Sequence, residues 1–293
     1  MKLSDLISKS EILRGEDLLS RIVGKPVCDS RKVQPRDVFF DISNNEDYVK
    51  AAAARGCAVT VREYSDSGDG SSNTVHVKNV RLSYAEACEK YAGDPTKDMH
   101  LIAVTGTNGK TSTTHILAAI LRRAGYKTGI IGTVGNFIGD EITSADYTTP
   151  PPDVLSELFQ RMKNDGVKYV VLEASSHALD QDRLGGLTFD AGIFTNLTRD
   201  HLDYHKTMEN LAKAKAKLFP ACRASIINLD DTYAKQMAFA ASGDVYFCSE
   251  KDEGADFYAD NIECGIAKTN FRISSYFGDI YIKSKLTGSF NVY

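Results

Sequence analysis

The stretch Thr105-Gly106-Thr107-Asn108-Gly109-Lys110-Thr111 holds the residue types that a chain of phosphates requires. Glycines let backbone N–H groups turn inward around phosphate oxygens, and the N-terminus of a following helix adds positive potential. Lys110 can neutralise the outer phosphates and Thr111 can hold magnesium. The strict pattern G-x-x-x-x-G-K-[ST] is not met, because Val104 stands five residues before Gly109 and the first glycine comes at 106. Read without further context, the stretch could be a structural glycine turn ahead of a helix, but Gly109, Lys110 and Thr111 stand where a phosphate loop requires them.

The elements around this loop fit that use. Leu101 to Thr105 is apolar and reads as a strand, and Lys110 to Ala124 reads as a helix, giving the strand, glycine loop and helix order. Apolar stretches at Thr128 to Ile131, Tyr169 to Leu172, Ala191 to Thr195, Ser225 to Asn228 and Asp244 to Cys248 alternate with helices at Asp153 to Asn164 and Glu209 to Phe219. Such alternation predicts parallel strands joined by crossover helices. Upstream, strands at Asp37 to Ile42, Ala58 to Val61 and Thr74 to Val77, with helices at Glu46 to Arg55 and Ser83 to Tyr91, predict a smaller α/β domain. Ser65 to Asn73 reads as a loop by its turn residues. Gly93-Asp94-Pro95-Thr96 breaks the pattern, so the boundary is expected near Lys97, giving domains 1–97 and 98–293.

Composition narrows the function. The 293 residues are 42% hydrophobic and 25% charged, an ordinary globular balance, and the net charge of −4 offers no global attraction for nucleic acid or an anionic membrane. No leader or long apolar run is evident, so a cytoplasmic protein without nucleic-acid or membrane partners is expected, as a monomer. The six cysteines show no metal or disulfide spacing and are expected to be buried free thiols.

The T-G-T-N-G-K-T loop is similar to the nucleotide loop of the Mur ligases and their relatives, the folylpolyglutamate and cyanophycin synthetases. Further strings select among these: Tyr147-Thr148-Thr149-Pro150, Glu173 to Leu179 (E-A-S-S-H-A-L), Asn196 to His205 (N-L-T-R-D-H-L-D-Y-H) and the closing Leu286 to Tyr293 (L-T-G-S-F-N-V-Y). Together, over roughly residues 98 to 293, they resemble the UDP-N-acetylmuramoyl-tripeptide synthetase branch, MurE. The resemblance implies a small N-terminal UDP-binding-type domain followed by a central ATPase domain of P-loop type with a mostly parallel sheet. It also implies a ligase that uses ATP to activate the terminal carboxylate of UDP-MurNAc-L-Ala-D-Glu as an acyl phosphate, which the amine of a diamino acid attacks.

What the resemblance implies for single residues follows from the matched strings. Gly106, Thr107, Asn108, Gly109, Lys110, Thr111 and Ser112 would hold ATP, with Asn228 and Asp230 of an N-x-D-D-like string beside them. Thr111, Glu173, His201 and Lys215 would hold two magnesium ions, Lys215 as a carbamylated amine selected by the A-K-x-x-L-F alignment. Without that match, the Lys213, Lys215 and Lys217 run would be a solvated helix face. Lys110, Lys215 and His201 are the catalytic set, His177 and His205 having less defined roles. Thr148, Thr149, Ser175, Gln181 and Arg183 would meet the substrate, and Ser30, in the D-S-R-x-V string, its uridine end.

The sequence also departs from the family. Phe40 to Tyr48 lacks the glycine-bearing D-G-H-type loop and is shorter. The string ending at Tyr293 stops where the family continues into a third, Rossmann-like domain, so these residues are expected to bind nucleotide without completing ligation. Two other readings stand beside the ligase: a Mur-like amide ligase with another acceptor, and a nucleotide-binding module without catalysis.

Overall fold

The computed structural model describes residues 1–65, 72–288 and 292. Most of the Ser65 to Asn73 loop, and Ser289, Phe290, Asn291 and Tyr293 of the closing string, lie outside the described residues. The chain divides into two compact units, one of residues 1–99, 150–166 and 181–187 and one of residues 100–149, 167–180 and 188–293.

In the first unit, β1 (Ile12–Arg14), β2 (Pro26–Val27), β3 (Val38–Phe40), β4 (Val59–Glu63) and β5 (Thr74–Val77) form a five-stranded sheet in the order β1-β5-β4-β3-β2. Strands β2 to β5 run parallel and β1 antiparallel. Val38, Phe39, Phe40, Val59 and Val61 are all buried, the continuous apolar run expected of strands covered on both faces. Helices α1 (Leu3–Leu6), α2 (Glu46–Ala54) and α3 (Val80–Tyr91) belong to this unit. Asn79 caps α3 by accepting from the N–H groups of Arg81 and Leu82. The segment after β3 is closed by the Arg62 side chain, which donates to Asn44 Oδ1 at 3.0 Å and pairs with the buried Asp41 at 3.2 Å.

The second unit holds an eleven-stranded sheet. Its strands are β6 (His100–Thr105), β7 (Thr128–Gly132), β8 (Gly135–Ile138), β9 (Glu141–Thr143), β10 (Tyr169–Glu173), β11 (Phe189–Phe194), β12 (Cys222–Asn228), β13 (Asp244–Ser249), β14 (Phe257–Cys264), β15 (Thr269–Ser275) and β16 (Ile280–Ser284). The order is β16-β15-β14-β13-β12-β11-β6-β10-β7-β8-β9, parallel from β14 across to β7 and antiparallel at both flanks. The mixed α/β class and mostly parallel sheet are those expected. The antiparallel flanks are additions: β8 and β9 join through Gly139-Asp140, with Gly139 at φ +60° as a tight hairpin requires.

Helix α4 (Lys110–Arg123) follows β6. Helix α5 (Pro152–Asn164), which the strand and helix alternation predicts as a crossover on the large sheet, packs on α3 in the first unit. Its apolar face carries Leu155, Phe159 and Met162, all buried. Short helices α6 (Ser176–Asp180) and α7 (Leu202–His205) precede α8 (Met208–Ala216), and α9 (Ala234–Ala240) follows β12. Helix α8 ends before the predicted Phe219: the N–H groups of Lys217 and Leu218 bond back three residues, to Ala214 O and Lys215 O, and a short 3-10 turn of Phe219–Ala221 follows, in which Pro220 has no N–H to continue an α-helix. Of the six cysteines, all free, Cys88 and Cys222 are buried, Cys28, Cys57 and Cys248 are half-buried and Cys264 is exposed, so burial is less general than expected. No helix among the described residues is long and apolar enough to cross a membrane.

Candidate active site

The parallel register brings the C-terminal strand ends side by side. Glu173 at the end of β10 pairs with Val104 of β6, Phe194 of β11 with Thr105, and Ile227 of β12 with Phe194. Strand β6 lies between β10 and β11, where the chain order of the sheet reverses, and ligands bind outside such carboxyl ends.

The phosphate loop leaves β6 at this point. Gly106 has φ +150°, and a Cβ there would overlap Thr195 Oγ1. Gly109, at φ +86°, starts α4. The loop is braced by the segment after β11: Thr107 N donates to Asn196 O at 2.9 Å, Asn108 N to Asn196 Oδ1 at 3.0 Å, and Thr107 Oγ1 to Thr198 O at 3.1 Å. Lys110 curls back, its Nζ donating to Gly106 O and Thr107 O, each at 2.9 Å. Burial lowers its pKa, while Glu173 and Asp200 pull the other way.

Glu173, 1% exposed, is the hub. Its Oε1 accepts from Thr111 Oγ1 and from the Thr133 N–H, both at 2.9 Å, and its Oε2 accepts from Thr133 Oγ1 at 3.1 Å. Thr148 Oγ1 lies 3.0 Å from Thr133 Oγ1. Thr149 is buried, donating to Glu173 O at 2.7 Å and accepting from Ser175 N at 3.0 Å, so it fixes the backbone of the strand end.

Lys215 on α8 is 2% exposed, and its Nζ donates to Gly106 O at 2.8 Å. Burial above all, then the Lys110 charge, lowers its pKa to about 7, with Asp200 partly opposing. His201 has a left-handed backbone (φ +47°) at the start of α7, is half exposed, and holds Nε2 3.4 Å from Asp200 Oδ2. His177 packs edge-on against its ring at 4.7 Å, while the buried His205 shares a hydrogen bond of 2.9 Å with Ser176.

A cavity of about 260 Å³ gathers Thr107, Asn108, Gly109, Lys110, Thr111, Ser112, Thr148, Glu173, Ser175, His201 and Lys215. A second, of about 600 Å³, shares Asn108, Gly109 and Ser112 and is bordered by Asn228 and Asp230. Asp230 accepts from Ser249 Oγ and the Glu250 N–H, and Asn228 donates to Thr195 O at 2.7 Å. Ser30, Gln181 and Arg183 belong to the first unit, where Ser30 is buried and Arg183 donates to Gln181 Oε1 at 2.8 Å. Thr133, Thr195, Asn196, Thr198 and Asp200 border these features without having been singled out by sequence. The N-L-T-R-D-H string was the available signal for the last three.

No three His, Cys, Asp or Glu side chains converge as a metal site among the described residues. The donor set is of another kind. The Thr111 hydroxyl and the Glu173 carboxylate, 2.9 Å apart on one cavity wall, are hard oxygens that fit magnesium. A bare Lys215 ammonium does not fit, whereas a carbamate at its nitrogen offers oxygens.

Residues 104–293 match the Mur ligase middle domain family. The chain belongs to the Mur ligase family. Within it, the chain is 39% identical to the UDP-N-acetylmuramoyl-L-alanyl-D-glutamate--2,6-diaminopimelate ligase of Caldanaerobacter subterraneus subsp. tengcongensis, over 91% of this chain and 56% of that protein. It is 37% identical to UDP-N-acetylmuramoyl-L-alanyl-D-glutamate--2,6-diaminopimelate ligase 1 of Clostridium acetobutylicum, over 100% of this chain and 61% of the relative. A solved structure of a UDP-N-acetylmuramoyl-L-alanyl-D-glutamate--2,6-diaminopimelate ligase superposes with a TM-score of 0.87 at 29% identity, covering 100% of this chain and 61% of that one. The chain thus spans less than two thirds of the length of these Mur ligases.

Proposed function

We propose that this chain carries the nucleotide- and acceptor-binding part of a cytoplasmic ATP-dependent ligase that adds 2,6-diaminopimelate to UDP-MurNAc-L-Ala-D-Glu in peptidoglycan precursor synthesis. The observation that carries the reading is the shared carboxylate. Glu173 takes hydrogen bonds from Thr111 of the phosphate loop and from Thr133, which touches Thr148 of the T-T-P loop. One group therefore joins the two ligand sites that have to meet for phosphoryl transfer to a carboxylate, a reaction governed by positioning and charge neutralisation. The names of the relatives support the acceptor and the diamino acid.

The parts proposed for the residues draw on this geometry and on the family resemblance. Lys110 exchanges its two loop carbonyls for outer phosphate oxygens, and the loop N–H groups and α4 N-terminus add positive potential. Magnesium, held by Thr111, Glu173, His201 and a carbamylated Lys215, would neutralise charge on the phosphates. The depth of Lys215 supports its modification, since burial favours the neutral amine that carbon dioxide requires. Ser112, Asn228 and Asp230 line the nucleotide side, Thr148 and Ser175 the acceptor side, and Ser30, Gln181 and Arg183 are the proposed contacts to the rest of the substrate.

Calorimetry tests this reading. ATP with magnesium and UDP-MurNAc-L-Ala-D-Glu are each expected to bind, and Lys110→Ala to abolish ATP binding, because the loop loses its cation for the outer phosphates. ATP binding without any binding of the UDP-sugar peptide would turn the reading toward another acceptor or a non-catalytic module. Unchanged ATP affinity in Lys110→Ala would remove the loop from the mechanism.

A further inference from the structure

Thr133 stands one residue past the end of β7, directly after Gly132. A Cβ at Gly132 would overlap Glu173 Oε1, so the bare backbone there lets the carboxylate lie against the strand end. Thr133 then grips both carboxylate oxygens, N–H to Oε1 at 2.9 Å and hydroxyl to Oε2 at 3.1 Å. The Thr133 hydroxyl has one proton, and a carboxylate only accepts, so that proton lies on Oε2. In the 3.0 Å contact between the two hydroxyls, Thr148 is therefore the donor. The donors run in one direction, from Thr148 to Thr133 to Glu173, and Thr111 meets the same carboxylate from the phosphate loop. Bonds arranged in series polarise one another, so what Thr148 does with its proton is felt at Oε2.

We propose that Thr133 is a positioning residue that orients Glu173 toward the metal-nucleotide and couples that site to occupancy of the acceptor loop at Thr148. The inference rests on the ligase reading of the cavity. An acceptor oxygen that takes the Thr148 proton removes the incoming donor from Thr133 and changes its hold on Glu173. By linkage, metal-nucleotide binding alters acceptor affinity by the same factor. Thr133 is itself solvent-exposed, so packing does not account for its contacts and its replacement leaves the core intact.

The test compares the 293-residue chain with Thr133→Val, which keeps the shape and the N–H but loses the hydroxyl, and with Thr133→Ser, which keeps both donors. Mn2+ affinity is read by electron paramagnetic resonance with a non-hydrolysable ATP analogue, with and without UDP-MurNAc-L-Ala-D-Glu. Thr133→Val is expected to weaken Mn2+ binding by about tenfold, the usual effect of removing a hydrogen bond behind a metal ligand, and Thr133→Ser to restore it. Adding the UDP-sugar peptide is expected to shift Mn2+ affinity in the wild type by about fivefold or more and to leave Thr133→Val unmoved. Equal Mn2+ affinity in wild type and Thr133→Val, or an equal acceptor-induced shift in both, overturns the proposal. A wild type that binds Mn2+ with nucleotide but not the UDP-sugar peptide defeats the acceptor part of the functional reading, and the Thr133→Val affinity then decides the orienting role alone. A wild type that takes up no Mn2+ with nucleotide overturns both.

Discussion

Gly106 carries two constraints at once: a backbone angle of φ +150° and a side-chain position already filled by Thr195 Oγ1. Gly106→Ala should therefore displace the carbonyl that receives both Lys110 and Lys215. The expected outcome is at least a tenfold loss of ATP affinity by calorimetry, about 1.4 kcal/mol or more, with an unchanged far-ultraviolet circular dichroism spectrum. An affinity equal to wild type would show that the loop relaxes freely. At Lys215, native mass spectrometry should find an added mass equal to one carbon dioxide, rising with bicarbonate. Crystals with two magnesium ions beside a bare amine would contradict it. Most of these residues are legible in sequence because the loop is contiguous and its spacing is the chemistry. Thr133 is not legible: its role arises only when β7 and β10 become neighbours, and nothing local to a threonine after a glycine announces that.

The elements show the same divide between local and tertiary information. Strand β6, the loop and α4 are written in an apolar run, two glycines and a helical pattern, and they appear within a residue or so of the expected bounds. Strands β14 to β16 are not announced by the sequence, because they are largely exposed or half-buried and no continuous apolar run marks them. The pattern of α5 marks a helix, yet its periodicity identifies only an apolar face and not the surface that will cover it. Helix α3 offers a measurable case. Asn79 caps it through two N–H groups and also donates to Asp182 Oδ2 at 3.0 Å, fastening residues 181–187 to the first unit. Asn79→Ala is expected to cost about 1–2 kcal/mol in urea unfolding, more than Asn79→Ser, which loses the same bond to Asp182 but keeps a capping oxygen. Equal stability of the two variants would show that the cap contributes nothing.

At the scale of the whole molecule, the first unit is not a contiguous piece of chain. It draws α5 and residues 181–187 from beyond the start of the large sheet. A fragment of residues 1–99 would leave α3 without its partner helix and strip away Leu155, Phe159 and Met162, all buried in the 293-residue chain. Since losing even one large core side chain costs about 2–5 kcal/mol, the fragment should bind a hydrophobic dye and melt without a sharp transition. A sharp, cooperative melt of the fragment alone would show that α5 is dispensable. The same threading sets an order of events during synthesis. Residues 1–99 cannot finish their own core until residue 187 has followed them from the ribosome, by which time β6, the phosphate loop and β10 have already emerged. Until residue 187 is made, a growing chain exposes an unfinished apolar surface of the kind that chaperones hold.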